Sequence, residues 1–521
     1  MIHKRPAGLI HRQPTWSQEQ LAVMIGKPPV EPWAADVVGG VAHPPWPQTY
    51  IGTVRQLLMG LWSQVPNKHL VLNVWCDCGG MGTEALALKD IAAEVANLGL
   101  NFDVSVYMFC DQLEAAQTFA RRNLKPKHMA DDIKSRDFDL GTFECKLCDA
   151  SHIMPTSGID LYVCCFPCSP WSCRGTRLGF KHNDGNLIFY SIQTIKHVKP
   201  VLIYMENVIQ VGSSSSDCDG DMPEADLGVM IKAMKSELPE YEFQLIKPLT
   251  PGHAGYPTLK PRLGVVGGRT DVLHHGALEY SFGQLINEPV PICADWRMLL
   301  GRPTITVDWA KLGNLPSAQD VDQLISINDG CTCHFDPSIV CSTHPCKCQA
   351  CKKGGTCIWR SKHTDFIKKN FVSQDVPYAD LLFYMGTKLM YLQVMALHVN
   401  HEILITSPRE RNMLNILALL PCVAPGINPL TIVDKSQSID RSSMRVDGRV
   451  GTMATNADMW CLADGDALTL GEMAKLMGHD ITALDLEGIT KVQFRSLLGM
   501  SVHRGVAGFL CTGLLAALGF N

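Results

Sequence analysis

The sequence predicts an α/β fold in which a doubly wound parallel sheet is interrupted by a smaller, irregular domain. Three observations carry that expectation. First, Leu70 to Trp75 is an apolar run of strand length that feeds a glycine turn, Gly79-Gly80-Met81-Gly82, and then an amphipathic helix from Thr83 to Leu98. Second, the alternation repeats, with a strand over Val104 to Cys110 and a helix over Gln112 to Asn123. Third, it stops for roughly residues 271–447 and resumes only near the end of the chain. The 521 residues are 46% hydrophobic and 19% charged, enough apolar content for more than one core, so disorder is not the default.

Residues 1–66 are rich in Trp and Pro (Trp16, Pro28, Pro29, Trp33, Pro44, Pro45, Trp46) and read as an irregular extension. A sheet domain follows over 67–270. Its glycine turn lets backbone N–H groups approach an anion at a helix amino terminus. Asp111 ends the second strand, about thirty residues past that turn, where a carboxylate can accept from ribose hydroxyls or simply face solvent. The run beginning at Ile159 is apolar and β-branched until Pro167, which cannot donate to a sheet ladder, so Cys168 falls just beyond a buried strand. Ligands bind at that edge of an open α/β sheet, and a thiol there is placed to act on one. Next come a helix over Asn186 to Lys196 and a strand over Val201 to Tyr204, with Glu206 expected just past its end. Gly212 to Asp226 reads as a loop, and strands follow over Phe243 to Leu249 and Leu263 to Gly268.

Within 271–447, Cys331, Cys333, His334, Cys341, His344, Cys346, Cys348, Cys351 and Cys357 form a dense cluster of potential metal ligands. The first residues lack the apolar core of a signal peptide, so the twenty-one cysteines suggest thiols and zinc ligands in a reducing compartment rather than disulfides. The spacing leaves open which four residues share an ion, and whether there are two ions. The net charge of −5 argues against a globally basic nucleic-acid protein, but residues 331–370 hold seven Lys and Arg against two Asp, a local basic patch. The apolar run Leu381 to Val399 is broken by Lys388 and Gln393, and the uncharged tail Gly505 to Asn521 is short for a span; both read as buried helices, with no membrane partner.

Phe166-Pro-Cys168-Ser-Pro-Trp-Ser172 resembles the nucleophile motif of the DNA (cytosine-5)-methyltransferases, and the resemblance continues in order. Asp131-Asp132-Ile133 resembles that family's adenine-contacting Asp-Ile pair, and Glu206-Asn207-Val208 its second catalytic signature. Leu468 to Gly478 and Gly499-Met-Ser-Val502 resemble its last two motifs. The resemblance implies a Rossmann-like methyltransferase sheet, a variable target-recognition region over 271–447, and a return to the catalytic domain over 448–521. It implies S-adenosylmethionine at Trp75, Gly79, Gly80, Asp111, Asp132, Ile133, Pro167, Ser501 and Val502. Catalysis would fall to Cys168, Glu206 and Arg262, with methyl transfer to carbon 5 of a cytosine flipped out of DNA, in the nucleus.

Four positions depart from the pattern. Asp77 stands where the family has the first glycine of its turn, Met500 replaces an Asn, and Gly255-Tyr-Pro-Thr258-Leu-Lys260-Pro-Arg262 replaces Gly-x-Pro-Gln-x-Arg-x-Arg. At Asp77 we expect a backbone cost if the turn needs positive φ there, and a charge facing the cofactor carboxylate; the competing view is that Asp77 points away or pairs with the cofactor's ammonium. The alternatives to a DNA enzyme are a catalytically weakened DNA-binding homologue and an RNA cytosine-5 methyltransferase, whose usual Cys-Phe-Thr tripeptide does not occur here.

Overall fold

The computed structural model describes residues 43–65, 67, 69–172, 175–212, 226–288, 290–293, 296–302, 362, 410, 413–414, 417, 432–439, 449–461 and 466–520. The Cys-rich cluster 331–357 and the run 381–399 lie outside these residues. Two compact units emerge, one of Val41–Ala294 with Met473–Asn521, the other of Met1–Gly40 with Asp295–Glu472.

In the first unit the chain forms α1 (Trp46–Thr53), α2 (Arg55–Gln64), β1 (His69–Asp77), α3 (Thr83–Ala96), β2 (Asn101–Cys110), α4 (Glu114–Asn123), β3 (His128–Ala130) and the hairpin β4 (Thr142–Cys145)–β5 (Ala150–Ile153). It continues through β6 (Leu161–Cys164), α5 (Leu187–Val198), β7 (Leu202–Val208), α6 (Asp226–Glu237), β8 (Tyr241–Leu249), β9 (Arg262–Arg269) and α7 (Ala277–Asn287). One seven-stranded sheet has the order β3-β2-β1-β6-β7-β9-β8, with β4 and β5 a separate pair. Strands β6 and β7 are buried at every residue, as expected for a sheet covered on both faces.

The sheet is not wholly parallel. β9 runs antiparallel to both β7 and β8, because only a loop with a single 3-10 turn joins β8 to β9 and no crossover helix intervenes. That pairing also lengthens β7 past the expected end at Tyr204. Glu206 pairs with Gly264 and Val208 with Arg262, so Glu206 lies within the strand. Two expectations of irregularity also fail. Residues 46–64 are largely helical, and 277–287 form a helix at the start of the stretch where no regular strand-helix alternation was expected.

The second unit contributes α8 (Trp296–Leu300) and a three-stranded sheet, β10 (Ile432–Asp434), β11 (Met459–Cys461) and β12 (Asp466–Ala467). α9 (Leu470–Leu476) begins there, and the chain then supplies α10 (Lys491–Met500) and α11 (Arg504–Leu518) to the first unit. α11 is buried from Gly505 to Ala517 and packs on α1, α2, α3 and α7. Its glycines make that possible. A Cβ on Gly508 would fall 2.0 Å from the Trp46 ring, and one on Gly513 2.4 Å from Phe282. The tail is thus a core helix, and among the described residues no single helix is long and apolar enough to cross a bilayer.

Candidate active site

Strand order places three carboxyl ends side by side. Asp77 on β1 is in register with Cys164 on β6, and Cys164 with Met205 on β7. The loop after β6 therefore opens between the glycine turn and Glu206. Cys168 is partly exposed there, and its carbonyl accepts from Trp171 N (3.0 Å) and Ser172 N (2.8 Å), which curls the loop back on itself. Thr176 N donates to Ser169 O at 2.9 Å, and Gly175 is required for that approach because its Cβ would sit 2.0 Å from the same oxygen. Trp171 is buried, edge-on to Phe166 and Phe180, and donates to Asp226 Oδ2 at 2.7 Å.

Asn207 fastens this loop to β7. Its amide donates to Phe166 O at 2.8 Å and its own oxygen accepts from Val208 N at 2.8 Å. Beside it Glu206 is 6% exposed, with Arg262 Nε 2.5 Å from its Oε1. Burial raises the Glu206 carboxyl above its ordinary value, opposed by the charges of Arg262 and Lys260. No local pattern marks Glu84 or Cys165, yet the structure adds both to this group. The Cys165 thiol donates to Glu84 Oε1 at 2.9 Å, and Glu84, in the first turn of α3, is 2% exposed. Burial pushes the Glu84 carboxyl up to about 7. The Cys165 thiol is raised too, first by burial and then by Glu84 and Glu206, so it remains a neutral thiol and a poor nucleophile.

At the glycine turn, Gly79 N donates to Cys110 O at 3.1 Å, and a Cβ there would enter the Phe109 ring at 2.3 Å. Gly80 has φ +52°, faces open space, and donates from its N–H to Asp111 Oδ2 at 2.8 Å. Leu113 N holds the other Asp111 oxygen at 2.9 Å. Asp132 caps a 3-10 turn by accepting from Lys134 N at 2.9 Å, and the Ile133 that follows is buried. Pro167 is half-buried, and Ser501 and Val502 are buried at the junction of α10 and α11. Trp75 is fully buried in the sheet, stacked on Tyr107, so it packs the floor of this region.

Both expectations about Asp77 are overturned. The positive φ of the turn falls on Cys78 (φ 51°), so Asp77 bears no such backbone cost. Its side chain points inward, at 0% exposure, into an ion pair with Arg136. Arg136 Nη1 donates to Oδ2 at 2.6 Å and Nη2 to Oδ1. Tyr162 Oη donates to Oδ2 at 2.7 Å, and Trp75 Nε1 to Oδ1 at 3.1 Å. The guanidinium also lies 5.1 Å from the centre of the Trp75 ring and donates to Thr194 Oγ1 at 2.7 Å. Burial pulls its pKa down, but the Asp77 charge and hydrogen bonds together turn the net shift upward.

The substitutions at 258 and 260 also have partners. Thr258 Oγ1 donates to Leu476 O at 2.9 Å, while Lys260 Nζ donates to Gly499 O (2.9 Å) and Ser501 O (2.6 Å). Lys260 thus binds carbonyls at the carboxyl end of α10 as a point charge, a task that needs no planar fork. Met500 is the last residue of that helix.

Residues 80–271 match the sequence profile of the C-5 cytosine-specific DNA methylases. A segment of 123 residues is 29% identical to the type II methyltransferase M.PspPI of Psychrobacter sp. (strain TA137). That segment is 23% of this chain and spans only about a quarter (27%) of that relative's length. Among solved structures, a protein assigned as a DNA modification methyltransferase from an E. coli prophage aligns with TM-score 0.41 at 15% identity, over 85% of this chain and 98% of its own. The S. pombe Dnmt2 methyltransferase aligns with TM-score 0.38 at 13% identity, over 86% and 100%. The family assignment rests on the sequence match.

Proposed function

We propose that the protein transfers a methyl group from S-adenosylmethionine to carbon 5 of cytosine in DNA, with Cys168 as nucleophile. The observation that carries this is the buried Glu206–Arg262 pair between β7 and β9, joined through Asn207 to the loop that presents Cys168. Carbon 5 of cytosine is a weak nucleophile until a thiolate adds at carbon 6. The Cys168 sulfur makes that bond, and electron density moves into the ring toward N3. Glu206, its carboxyl raised by burial, holds a proton there more readily than an exposed glutamate and stabilises that density. Arg262 orients Glu206 and neutralises it between turnovers. The target base reaches the thiol only after leaving the duplex stack, at a cost of a few kcal/mol.

The residues at the glycine turn suit the cofactor. Gly80 faces open space next to a half-buried Asp111 whose oxygens each keep a free lone pair, and Gly82 caps α3 without a side chain over the helix end. Gly79, Gly80 and the α3 amino terminus would hold the amino-acid part, Asp111 the ribose, and Asp132 with Ile133 the adenine. When bound, S-adenosylmethionine supplies the electrophilic methyl. A structural zinc in the stretch 331–357 belongs to the same reading, supported by its density of Cys and His in the sequence.

The deciding experiment offers labelled cofactor and either DNA or RNA containing 5-fluorocytosine, then maps any covalent adduct by mass spectrometry. We expect a DNA adduct at Cys168, lost in Cys168→Ser with cofactor binding retained. Attachment through Cys165 or Cys173 refutes the nucleophile assignment. Adducts with RNA alone would make the protein an RNA enzyme, and cofactor binding without transfer to either would make it a non-catalytic homologue.

A further inference from the structure

The β4–β5 hairpin sits at the edge of the main sheet. Its strands have four residues each and its outer face is exposed, so it contributes little core of its own. Hairpins of this size are marginal in water without further support. The edge strand β3 is shorter still, with three residues, all buried. What joins the two is a group of sulfur and imidazole side chains. Cys145 ends β4, Cys148 lies in the turn, His152 is on β5, and His128 opens β3.

A ring nitrogen of His128, the Cys145 sulfur and a ring nitrogen of His152 all lie within 4.8 Å of one another. Cys148 Sγ is 3.0 Å from His152 Nε2, and the two imidazole centroids are 4.5 Å apart. Main-chain N–H groups of Leu147 and Cys148 reach the Cys145 sulfur, which also contacts the Cys148 thiol. His128 Nδ1 is buried with no hydrogen-bond partner, an uncommon state for a polar atom unless a ligand is missing.

We propose that His128, Cys145, Cys148 and His152 bind one structural zinc ion. The donor set is Cys2His2, with a Cys-x2-Cys pair, Cys145 and Cys148, and a histidine four residues after the second cysteine. With Zn–S near 2.3 Å and Zn–N near 2.0–2.1 Å, tetrahedral ligands sit ~3.3–3.8 Å apart, so His128, Cys145 and His152 close on an ion with side-chain shifts of about 1 Å, while Cys148, which stands outside their 4.8 Å group, must swing inward. All four positions are filled by protein, which makes the site structural. The site differs in place from the 331–357 cluster. Its effect would be to pin the hairpin to β3, where Lys146 N already donates to Met129 O at 2.7 Å and Lys146 Nζ pairs with Asp131 at 2.8 Å. β3 leads directly into Asp132 and Ile133, so the ion would steady the adenine side of the proposed cofactor site.

The test uses the full chain expressed in zinc-replete medium, and reads zinc content together with cysteine alkylation mapped by mass spectrometry. Exposed Cys148 should resist alkylation until a chelator is added, and Cys148→Ser or His152→Gln should each lower zinc by one equivalent per chain, whatever is bound elsewhere. Should Cys148→Ser lose its fold by near-ultraviolet circular dichroism, cobalt-loaded Cys148→His decides. It should keep its cobalt and lose one thiolate-to-metal charge-transfer contribution. Immediate alkylation of Cys148 in zinc-loaded wild type, a Cys145–Cys148 disulfide, an unchanged zinc content in folded variants, or a cobalt spectrum unaltered in Cys148→His overturns the proposal.

Discussion

Replacing Asp77 with glycine restores the residue its family has at that position, and it should nevertheless damage the protein. The carboxylate accepts from both terminal nitrogens of Arg136, from Tyr162 and from Trp75, in a place with no water access. Glycine leaves a guanidinium buried without its counter-charge, and breaking a buried pair by removing one partner costs about 3–5 kcal/mol. Set against a typical total of 5–15 kcal/mol, that is a large share of the stability of the sheet unit. Removing both charges should be far milder, because a well-packed apolar pair in place of a buried ion pair is often neutral. We therefore expect a large drop in thermal midpoint for Asp77→Gly and recovery of most of it in Asp77→Gly/Arg136→Met, a coupling that a double-mutant cycle measures. Calorimetric titration with S-adenosylmethionine should show no gain in affinity for the single variant. A glycine variant as stable as wild type and several-fold tighter for the cofactor would refute the ion-pair account and reinstate like-charge repulsion.

Three further outcomes are expected. Glu206→Gln should lower the rate of methyl transfer by ~10²–10⁴-fold with little change in cofactor affinity, since general-acid contributions are of that size; an unchanged rate removes Glu206 from the chemistry. Lys260→Met takes donors from Gly499 O and Ser501 O, each charged hydrogen bond being worth about 1.5–3 kcal/mol, and should raise amide exchange over residues 491–503; unaltered exchange there would mean that α10 is held by other contacts. Glu84, with an ordinary value of 4.5 raised to about 7, is protonated in the folded chain where the unfolded chain is ionised, so it lowers stability progressively as pH rises from about 4.5 to 7. The full penalty above pH 7 is about 3 kcal/mol, Glu84→Gln should remove it, and parallel pH-dependent melts in which the two proteins stay a constant distance apart would count against it.

The sheet unit was legible because its strands are apolar runs punctuated by glycine and proline, and period and punctuation survive any tertiary context. Cys168 stands out for the same reason, just past Pro167, whereas Glu206 and Arg262 were marked only by the family resemblance. What single positions do was harder to read. Glu206 was assigned to the residue after a strand, but the antiparallel partner β9, a contact no local pattern announces, carries β7 two pairs beyond it to Val208. Glu84 looked like the polar face of an amphipathic helix, although it is buried among Cys165 and the β7 side chains. The zinc-type cluster at the hairpin went unread because its fourth member, His128, lies seventeen residues before Cys145, outside any spacing rule confined to one turn.

The departures from the family pattern show one physical logic. A glycine turn can be supported in two ways: by small residues that let backbone approach backbone, or by a side-chain network that fills the same space. Here Gly79 lies against Phe109, with no room for a Cβ, and keeps the first device. Asp77 with Arg136 supplies the second, tying the end of β1 to Tyr162 on β6 and, through Thr194, to α5. That network joins the turn to the strand that leads into the Cys168 loop. Thr258 and Lys260 do the corresponding work on the far side, joining the β8–β9 connection to the carbonyls of the returning chain at Leu476, Gly499 and Ser501. A charge at 77 and a lysine at 260 therefore each have a structural role. Each is a buried polar group with its partners in place, and such groups persist in a low-dielectric interior only when the surrounding elements are held in register to satisfy them. The cofactor half and the nucleophile half are braced by the residues that looked least like the family.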